Sequence, residues 1–553
     1  MTRLRYIVPI VLAAVLTLGL HWMLKDESLP RTSAAAVSSV NTTNDGLTGG
    51  DTWCTLREAI SNANADGDTT SSDCDPGSGD DIISLGPGTY VLTLTGTGEN
   101  GNASGDLDIG GAGALTITGA GPDQTIIDAS GLISDRVLQT LPAAGRVVIS
   151  GVALVNGNVS GIGGGILATG ADLIIINTVI SGNSGSSGGG LYLSDGAAAL
   201  VDGQILSNTA SSHGGGVYIS GSGAVFTQTG ASVVAHNTTN GYGGGYHVSW
   251  GTLSLMGGRV FTNTAARGGG VYWYSPNARL DIQGTQISEN AATGSWRDGT
   301  GGGVHIYAGS VALQGSQLIN NTAEEGGGGV FVAGGGSTGV LTATDSVLVG
   351  NSAAWGGGIY NESLVFVHRS SLIDNWAFSD GGGIYSEDPL EIVNSTVSGN
   401  YVQAGSGGAI YVSGATALTY TTVVSNSASG VGGIYSGGPT TLHDTLLAYN
   451  DTNCGGSLTS RGYNLDDGDS CGLDATGDIT DTDPLLMPLT YQLGTWAHIP
   501  FPGSPAIDAG MCVAGVPVDQ IGQSRVSPCD MGAIESQWHR VYLPLVVRGI
   551  AEP

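Results

Sequence analysis

A solenoid of short β-strands is the fold class that this 553-residue sequence predicts, and three observations predict it. An Asn, a short polar loop, a Gly run and an aliphatic residue return eleven times, as in NSGSSGGGLY from Asn183. Successive copies lie 24 to 31 residues apart, a period typical of stacked repeats. Short runs of Ile, Val and Leu lie between Gly- and Asn-rich turns, as strands do.

One copy shows how a repeat folds. In the copy at Asn208, Val217 and Ile219 alternate with Tyr218 after the Gly run, and residues 224–228 and 231–235 form two further apolar runs. Three strands close a triangular coil, and parallel coils stack at about 4.8 Å, so roughly fifteen coils make a rod of about 70 Å. The prediction is therefore an all-β, right-handed parallel β-helix (a pectin-lyase-like solenoid) with three short strands per coil and a cap at each end.

The repeated Asn is interpreted as structural. Asn suits a turn in the left-handed region of backbone space, and its amide can bond to the same Asn one coil away. One Asn per coil then forms a ladder along the rod. The predicted structural ladder comprises Asn183, Asn208, Asn237, Asn263, Asn290, Asn321, Asn351, Asn375, Asn400 and Asn426.

Six cysteines flank the repeats. They permit fifteen pairings, and the nearest-neighbour set is favoured because each of its pairs lies within one cap region. The sequence has no CxxC motif, and an oxidising compartment is expected, so disulfides are favoured over a metal site. The predicted disulfides are Cys54–Cys74, Cys454–Cys471 and Cys512–Cys529.

Five segments organise the chain. Residues 1–36 combine a basic start, an apolar run and small residues, which predicts a signal peptide cleaved after Ala36 or an uncleaved signal anchor. Residues 37–80 are a polar N-terminal cap with a helix over 54–64. The β-helix covers 81–450, a C-terminal region covers 451–536, and residues 537–553 are a tail. The protein is expected to be extracellular or on the cell surface, with membrane contact only through an uncleaved N-terminus.

The net charge of the chain limits the classes of partner that it can bind. The net charge is −30, and Lys25 is the single lysine. Nucleic acid is therefore excluded as a partner, because phosphate binding needs a basic face. An acidic surface keeps a long extracellular rod soluble.

Several motifs resemble a known group of proteins. The repeats are similar to the polymorphic outer-membrane protein repeats of bacterial surface β-helices. The stretch Cys54-Thr-Leu-Arg-Glu-Ala59 resembles the CSLREA box of secreted bacterial β-helix proteins, with Thr in place of the first Ser. The strings SPAIDAG from Ser504 and CDMGAIE from Cys529 resemble the choice-of-anchor Q domain. The resemblance implies secretion and surface display, with no agreed activity.

The residue two places after each Gly run is aromatic or His, and alternation is expected to point it outward. Stacked coils would align these side chains in an exposed file that could stack on sugar rings or a partner surface. The alternative is that stacked rings only stabilise the coils. The candidate ligand-binding residues of the file are Tyr192, Tyr218, Tyr272, Tyr360, Tyr385 and Tyr411, and His247, His305, Phe331 and Tyr435 complete it.

Two loops are further candidates. Residues 291–300 form the longest loop between motifs, and Trp296 on it is a candidate ligand-binding residue, although a tolerated insertion is the plainer interpretation. No cofactor is expected, and Ca²⁺ bound by an acidic C-terminal stretch is kept as an alternative to ordinary turn carboxylates. That stretch contains Asp466, Asp467, Asp469, Asp474, Asp478, Asp481 and Asp483.

The β-helix fold also houses polysaccharide lyases and glycoside hydrolases, so catalysis has to be judged from the residues themselves. A lyase needs a basic residue near a Ca²⁺-bound substrate, and no lysine follows Lys25. A hydrolase needs two carboxylates about 5 to 9.5 Å apart. Asp80-Asp81 and Asp466-Asp467 lie in Asp- and Gly-rich caps, where solvated turn carboxylates are expected. The favoured hypothesis is a protein that binds a carbohydrate or a cell-surface partner without catalysis; a lyase or hydrolase and a structural spacer are the alternatives.

Overall fold

The computed structural model describes residues 35–132, 134–295, 298–334 and 338–536. It confirms the predicted fold class, a right-handed parallel β-helix with almost no helix. A continuous parallel sheet of 39 strands winds around one apolar core. The tail 537–553, most of the predicted signal segment and Trp296 lie outside the described residues.

Each coil has three faces, numbered here from the strand that follows the Gly run. Face 1 contains Leu107–Ile109, Leu138–Thr140, Ile166–Thr169, Leu191–Ser194, Val217–Ser220, Tyr246–Ser249, Val330–Val332, Ile359–Asn361, Ile384–Ser386 and Ile410–Val412. Face 2 contains Ala36–Val40, Asp81–Leu85, Leu115–Thr118, Arg146–Ser150, Asp172–Ile176, Ala197–Val201, Val225–Thr229, Thr252–Met256, Gly339–Thr344 and Leu364–His368. Face 3 contains Gly88–Val91, Thr125–Asp128, Ala153–Val155, Val179–Ser181, Gln204–Leu206, Val233–Ala235, Arg259–Phe261, Gln286–Ser288, Gln317–Ile319, Val347–Val349, Ser371–Ile373, Leu446–Ala448 and Leu465–Asp466.

Some strands run through a corner without a break. Those that join face 1 to face 2 are Val271–Gln283, Val304–Gln314, Ile434–His443 and Cys454–Ser460. Those that join face 2 to face 3 are Leu390–Ser398 and Thr416–Val424. A separate ten-stranded parallel ladder, here called the corner ladder, follows each Asn. It contains Ser184–Ser187, Thr209–His213, Thr238–Thr239, Thr264–Ala265, Ala291–Ala292, Thr322–Ala323, Ser352–Trp355, Trp376–Asp380, Tyr401–Val402 and Ser427–Ala428.

Strand alternation builds the core as the sequence predicts. Val217 and Ile219 are fully buried inside the coil, and Tyr218 between them faces outward. The register pairs Val217 with Leu191 in one neighbouring coil and with Tyr246 in the other. Equivalent positions therefore align along the rod, and the interior is a stack of apolar side chains.

The ten predicted ladder asparagines lie in one buried row that Asn450 extends. Asn208 shows the pattern: its Nδ2 and its backbone N–H both donate to Oδ1 of Asn237 at 3.0 Å, and its Nδ2 also donates to the carbonyl of Ile180. The expectation that the Asn itself adopts the left-handed conformation is wrong. The residue before the Asn adopts it instead, as Ser207 does at φ 54°. With the turn at Ser207, the backbone N–H of Asn208 points along the rod toward Asn237 of the next coil.

The N-terminal cap centres on the helix Leu56–Ala65. Thr55 and Glu58 form a reciprocal capping box, and Leu56, Ala59 and Ile60 pack on the end of the core. Arg57 and Glu58 carry charges and would ordinarily face solvent, yet each is only 1% exposed. Arg57 pairs with Asp45 at 2.7 Å and donates to the carbonyls of Gly105 and Asp106, so it ties the helix to the first coils.

The C-terminal region does more than close the rod. Cys454 and Cys471 lie in the core cluster at its end, with Leu458 and Leu473 packed against them. Residues 484–536, here called the return segment, fold back along face 3 of the last coils. Their polar contacts there include Thr495 with Ser371, Gln520 with Thr396, His498 with Ser398, and Ala533 with Thr422. A hairpin of Thr490–Gln492 and Thr495–Ala497 lies within this segment.

The three predicted disulfides are confirmed. They join Cys54 to Cys74 in the N-terminal cap, Cys454 to Cys471 at the end of the rod, and Cys512 to Cys529 within the return segment. A 3₁₀ turn, Ala129–Gly131, completes the secondary structure described. In the part of the chain that the structure describes, none of the helices has the length and hydrophobicity of a membrane-spanning helix.

Ile219→Asp should destabilise the protein by at least about 3 kcal/mol, because an unpaired carboxylate would enter the apolar interior. Ser222→Asp in the adjacent exposed turn is the matched control and should leave the free energy of unfolding within about 0.5 kcal/mol of the parent. Denaturant unfolding measures both. An Ile219→Asp variant as stable as the parent would contradict the inward assignment.

Asn208→Ala should lower the free energy of unfolding by about 1 to 3 kcal/mol, because it leaves buried backbone groups of neighbouring coils without a partner. Thr209→Ala, one residue away and exposed, is the control and should have little effect. Thermal and denaturant melts of both variants provide the measurement. Equal stability of the two variants would show that the ladder contributes nothing.

Candidate functional site

The outward position of face 1 carries the predicted file of rings. Parallel register aligns the ring-bearing positions from coil to coil, and neighbouring ring centroids are 4.6 to 5.1 Å apart. The structure brings together Tyr192, Tyr218, His247, Tyr272, His305, Phe331, Tyr360, Tyr385, Tyr411 and Tyr435 in that order. Most pairs are stacked, whereas the two pairs on either side of Tyr360 are edge-on.

The expectation that this file is exposed is wrong for its middle. Tyr272 is 5% exposed, and His247, His305 and Phe331 are buried, while the other tyrosines of the file are half-buried. The cause is a second row of side chains from the corner that follows each Asn. Tyr242 of this row stacks on Tyr272 at 4.8 Å, and Arg267 lies 5.2 Å from the Tyr242 ring centroid.

Burial also determines the protonation state of the two histidines in the file. It lowers the pKa of His247 and His305 to about 3, with the Arg267 charge adding to the effect on His305, so both rings are neutral near pH 7. The Nδ1 atom of His305 lies 2.9 Å from the hydroxyl of Thr300. A neutral, covered stack of rings stabilises the coils as cross-strand aromatic pairs do. The middle of the file is therefore a packing element.

A separate group of rings does reach solvent. Trp250, Tyr274 and Tyr307 come from three successive coils at the turn that leaves face 1, and they are here called the aromatic platform. Trp250 is 47% exposed, Tyr307 is 38% exposed and Tyr274 is half-buried. The ring of Tyr274 lies 5.2 Å from that of Trp250 and 5.4 Å from that of Tyr307, edge-on to both.

The chain departs from its regular path at each end of the platform. Trp250 has φ 71°, in a turn where the two preceding coils place Asp195 and Gly221. Tyr307 is an extra residue, because Trp273 pairs with Ile306 whereas Tyr274 pairs with Ala308. Bulges and left-handed bulky residues occur at sites where a side chain must be re-aimed. None of these three residues was predicted as a site from the sequence; the signal in the sequence was a Trp at a turn position that usually holds Asp or Gly.

The platform has a polar rim. Asn277 is exposed on the segment that follows Tyr274, and Arg279 beyond it is paired with Asp281 at 2.7 Å. Arg267, which lies over the neighbouring ring Tyr242, is paired with Asp298. Aromatic rings with amide and ion-pair neighbours present an amphipathic surface that is close to neutral.

The N-terminal end of the same outward file is acidic and closed. Asp108 and Gln139 occupy its first positions, in register with Leu167 and Tyr192. Burial, reinforced by Asp106, raises the pKa of Asp108 to about 7. Asp108 is 0% exposed: its Oδ2 accepts from the N–H of Asn102, and its Oδ1 has no partner.

Asp106 beside it is also buried. Burial raises its pKa to about 6, against the lowering effect of Arg136 at 3.0 Å. Raised carboxyl pKa values are typical of acid–base sites, but a catalytic carboxyl must also reach substrate. Asp106 and Asp108 are both closed to solvent in this structure.

The acidic pairs of the two caps are partly buried, which corrects the expectation of solvated turn carboxylates. Asp81 is buried on face 2, and Asp466 is buried at the end of the rod. Asp466 accepts from the side chain of Asn453 and from the N–H of Cys471, and Asp478 accepts from the N–H of Asn464. Within the part of the chain that the structure describes, no group of three or more His, Cys, Asp or Glu is arranged to hold a metal ion.

A cavity of about 480 Å³ opens in the N-terminal cap. Ser61 and Asn64 line it, but their polar atoms already have partners within the cap, such as Arg57 O for the hydroxyl of Ser61 and Asp108 O for Nδ2 of Asn64. Thr70, also in the lining, bonds to Asn62. The cavity is therefore walled by groups that already serve the cap.

A match to a protein-family model supports the class that the fold defines, a right-handed parallel β-helix protein. A family model described as a right-handed beta helix region matches residues 164–347. None of the curated proteins matches. The catalytic unit of a thermostable GH87 alpha-1,3-glucanase from Streptomyces thermodiastaticus strain HF3-3 is similar at 15% identity and a TM-score of 0.34, over 77% of this chain and 71% of that chain. Pectate lyase Pel9A is similar at 14% identity and a TM-score of 0.23, over 90% and 97%.

Asp108→Asn should change how stability depends on pH. The folded pKa is raised, so the carboxyl contributes stability below its unfolded pKa near 4 and loses it as pH rises through about 7. The free energy of unfolding of the variant should therefore exceed that of the parent at pH 8, by at most about 4 kcal/mol, and the difference should shrink toward pH 5. Asp123→Asn, in an exposed turn, is the control. If the stabilities of the parent and of Asp108→Asn changed with pH in the same way, the raised pKa of the buried Asp108 carboxyl would be contradicted.

Proposed function

We propose that this chain is a secreted or surface-displayed β-helix protein that binds carbohydrate at a cell surface without catalysis. The aromatic platform is the observation that carries the proposal. Sugars present flat, weakly apolar faces, and exposed Trp and Tyr rings are the side chains that stack on such faces. A rigid solenoid holds the three rings in place, so little conformational freedom is lost on binding.

The environment of the chain fits this proposal. Three disulfides indicate an extracellular or otherwise oxidising compartment. The signal-like N-terminus and the resemblance of the two cap regions to secreted bacterial β-helix proteins support export. Surface display then follows from the same resemblance, and the acidic chain stays soluble outside the cell.

Binding is favoured over turnover because the two carboxyls with raised pKa values are not accessible to a substrate. Asp106 and Asp108, whose pKa values are raised to about 6 and 7, are enclosed by the segment around Asn102 and by Arg136. The exposed rings of the platform lie in different coils from these carboxyls. Substrate bound on the platform would therefore meet no proton donor of this pair.

The test is retention of the purified protein on a panel of immobilised polysaccharides, with reducing ends and unsaturated products assayed in parallel. We expect retention on at least one polysaccharide with no product above the no-protein control. Product release would show an enzyme and contradict the proposal. Absence of both retention and product would favour a structural spacer and would also contradict it.

A further inference from the structure

We infer that the aromatic platform formed by Trp250, Tyr274 and Tyr307 binds a neutral, linear polysaccharide whose chain runs parallel to the rod axis. The inference rests on the proposed function and adds to it the site, the chemical class of the ligand and its direction. Its support comes from the spacing of the rings, the charges around them and the backbone that carries them.

Spacing sets the direction of the ligand. The three rings come from successive coils, so they follow one another along the rod axis at about one strand spacing each. Tyr274 stands edge-on to both neighbours, which leaves Trp250 and Tyr307, two coils apart, as the more exposed rings. In an extended β-1,4-linked polysaccharide every second sugar faces the same way, over a length similar to two strand spacings of about 4.8 Å each. A chain lying along the rod can therefore stack alternate sugars on Trp250 and Tyr307.

Charge selects a neutral ligand. Arg279 and Arg267, the arginines on the strand of Tyr274 and beside its Gly run, are both engaged in ion pairs with aspartates. The chain as a whole carries −30, so a polyuronate would be repelled at long range. Sugar hydroxyls instead suit the rim, where the exposed amide of Asn277 can both donate and accept hydrogen bonds.

Backbone conformation argues that the platform is kept for binding rather than for stability. A left-handed conformation is unfavourable for a bulky residue such as Trp250 and is free of strain for Gly, which stands at the equivalent position, Gly221, one coil earlier. The Trp250 ring is half exposed and so contributes little to the core. Trp250→Gly should therefore fold as stably as the parent and yet lose binding, a combination that a structural role does not produce.

The experiment uses the intact secreted protein and two soluble probes, hydroxyethyl cellulose as a neutral linear glucan and polygalacturonate as an acidic one. Affinity electrophoresis compares the parent with Trp250→Gly and Tyr307→Ala. We expect retardation by the neutral probe, and a loss of affinity of about fivefold to tenfold for each variant, the effect of one aromatic contact. Trp53→Ala, which removes a ring that is 53% exposed on the N-terminal cap, is the matched control and should bind like the parent. Melting curves show that each variant is folded.

The outcomes separate the inference from the proposed function. If the parent binds the neutral glucan and both platform variants bind it equally well, the site is wrong and carbohydrate binding stands. If the parent binds polygalacturonate better than the neutral probe, the neutral class is wrong and binding again stands. If neither probe is bound and the glycan panel also fails to retain the protein, both the inference and the proposed function fall. Loss in the platform variants with an unchanged Trp53→Ala control supports the inference.

Discussion

The contact between a ladder asparagine and the glycine corner of the neighbouring coil is the constraint on which the remaining structure depends. A Cβ added to Gly190 would lie 2.9 Å from Nδ2 of Asn208 and 2.8 Å from the carbonyl oxygen of Gly216. The glycine is needed because the amide and the next backbone occupy its side-chain space. The amide in turn supplies the acceptor for two donors of the preceding coil. Both signature residues of the repeat are thus explained by one buried contact.

This contact fixes the register from one coil to the next. Since the coils cannot slip past the corner, every strand position aligns with its equivalents along the rod, and each alignment becomes a file. Inward files form the apolar core, and the outward file of face 1 becomes the stack of rings. A rod built in this way repeats its surface at each coil, so a specific site requires a departure from the repeat.

The sequence predicted what is local or periodic. The strands, the inward position of Val217 and Ile219, and the short cap helix follow from patterns that span a few residues. The sequence did not predict which side chains are buried by residues that lie far away along the chain. Burial of Arg57 depends on Asp45 and on carbonyls almost 50 residues away, and the covered state of Tyr272 depends on Tyr242 in another turn. The return segment on face 3 is likewise held by polar contacts across more than 100 residues, such as Gln520 with Thr396, which no pattern in the chain announces.

The candidate site lies where the chain departs from the regular structural repeat. Regular positions on face 1 carry rings that pack on one another and are buried or half-buried, and these rings contribute stability. Trp250 takes a turn position that elsewhere holds Asp195 or Gly221, and Tyr307 enters through a shift in register. Neither departure improves the core, since both rings remain partly exposed. In a protein whose local sequence preferences otherwise agree with its fold, residues that disagree with the fold are expected at functional sites. In a solenoid, the irregular coils are therefore where binding should be sought, because the regular ones are already explained by stacking.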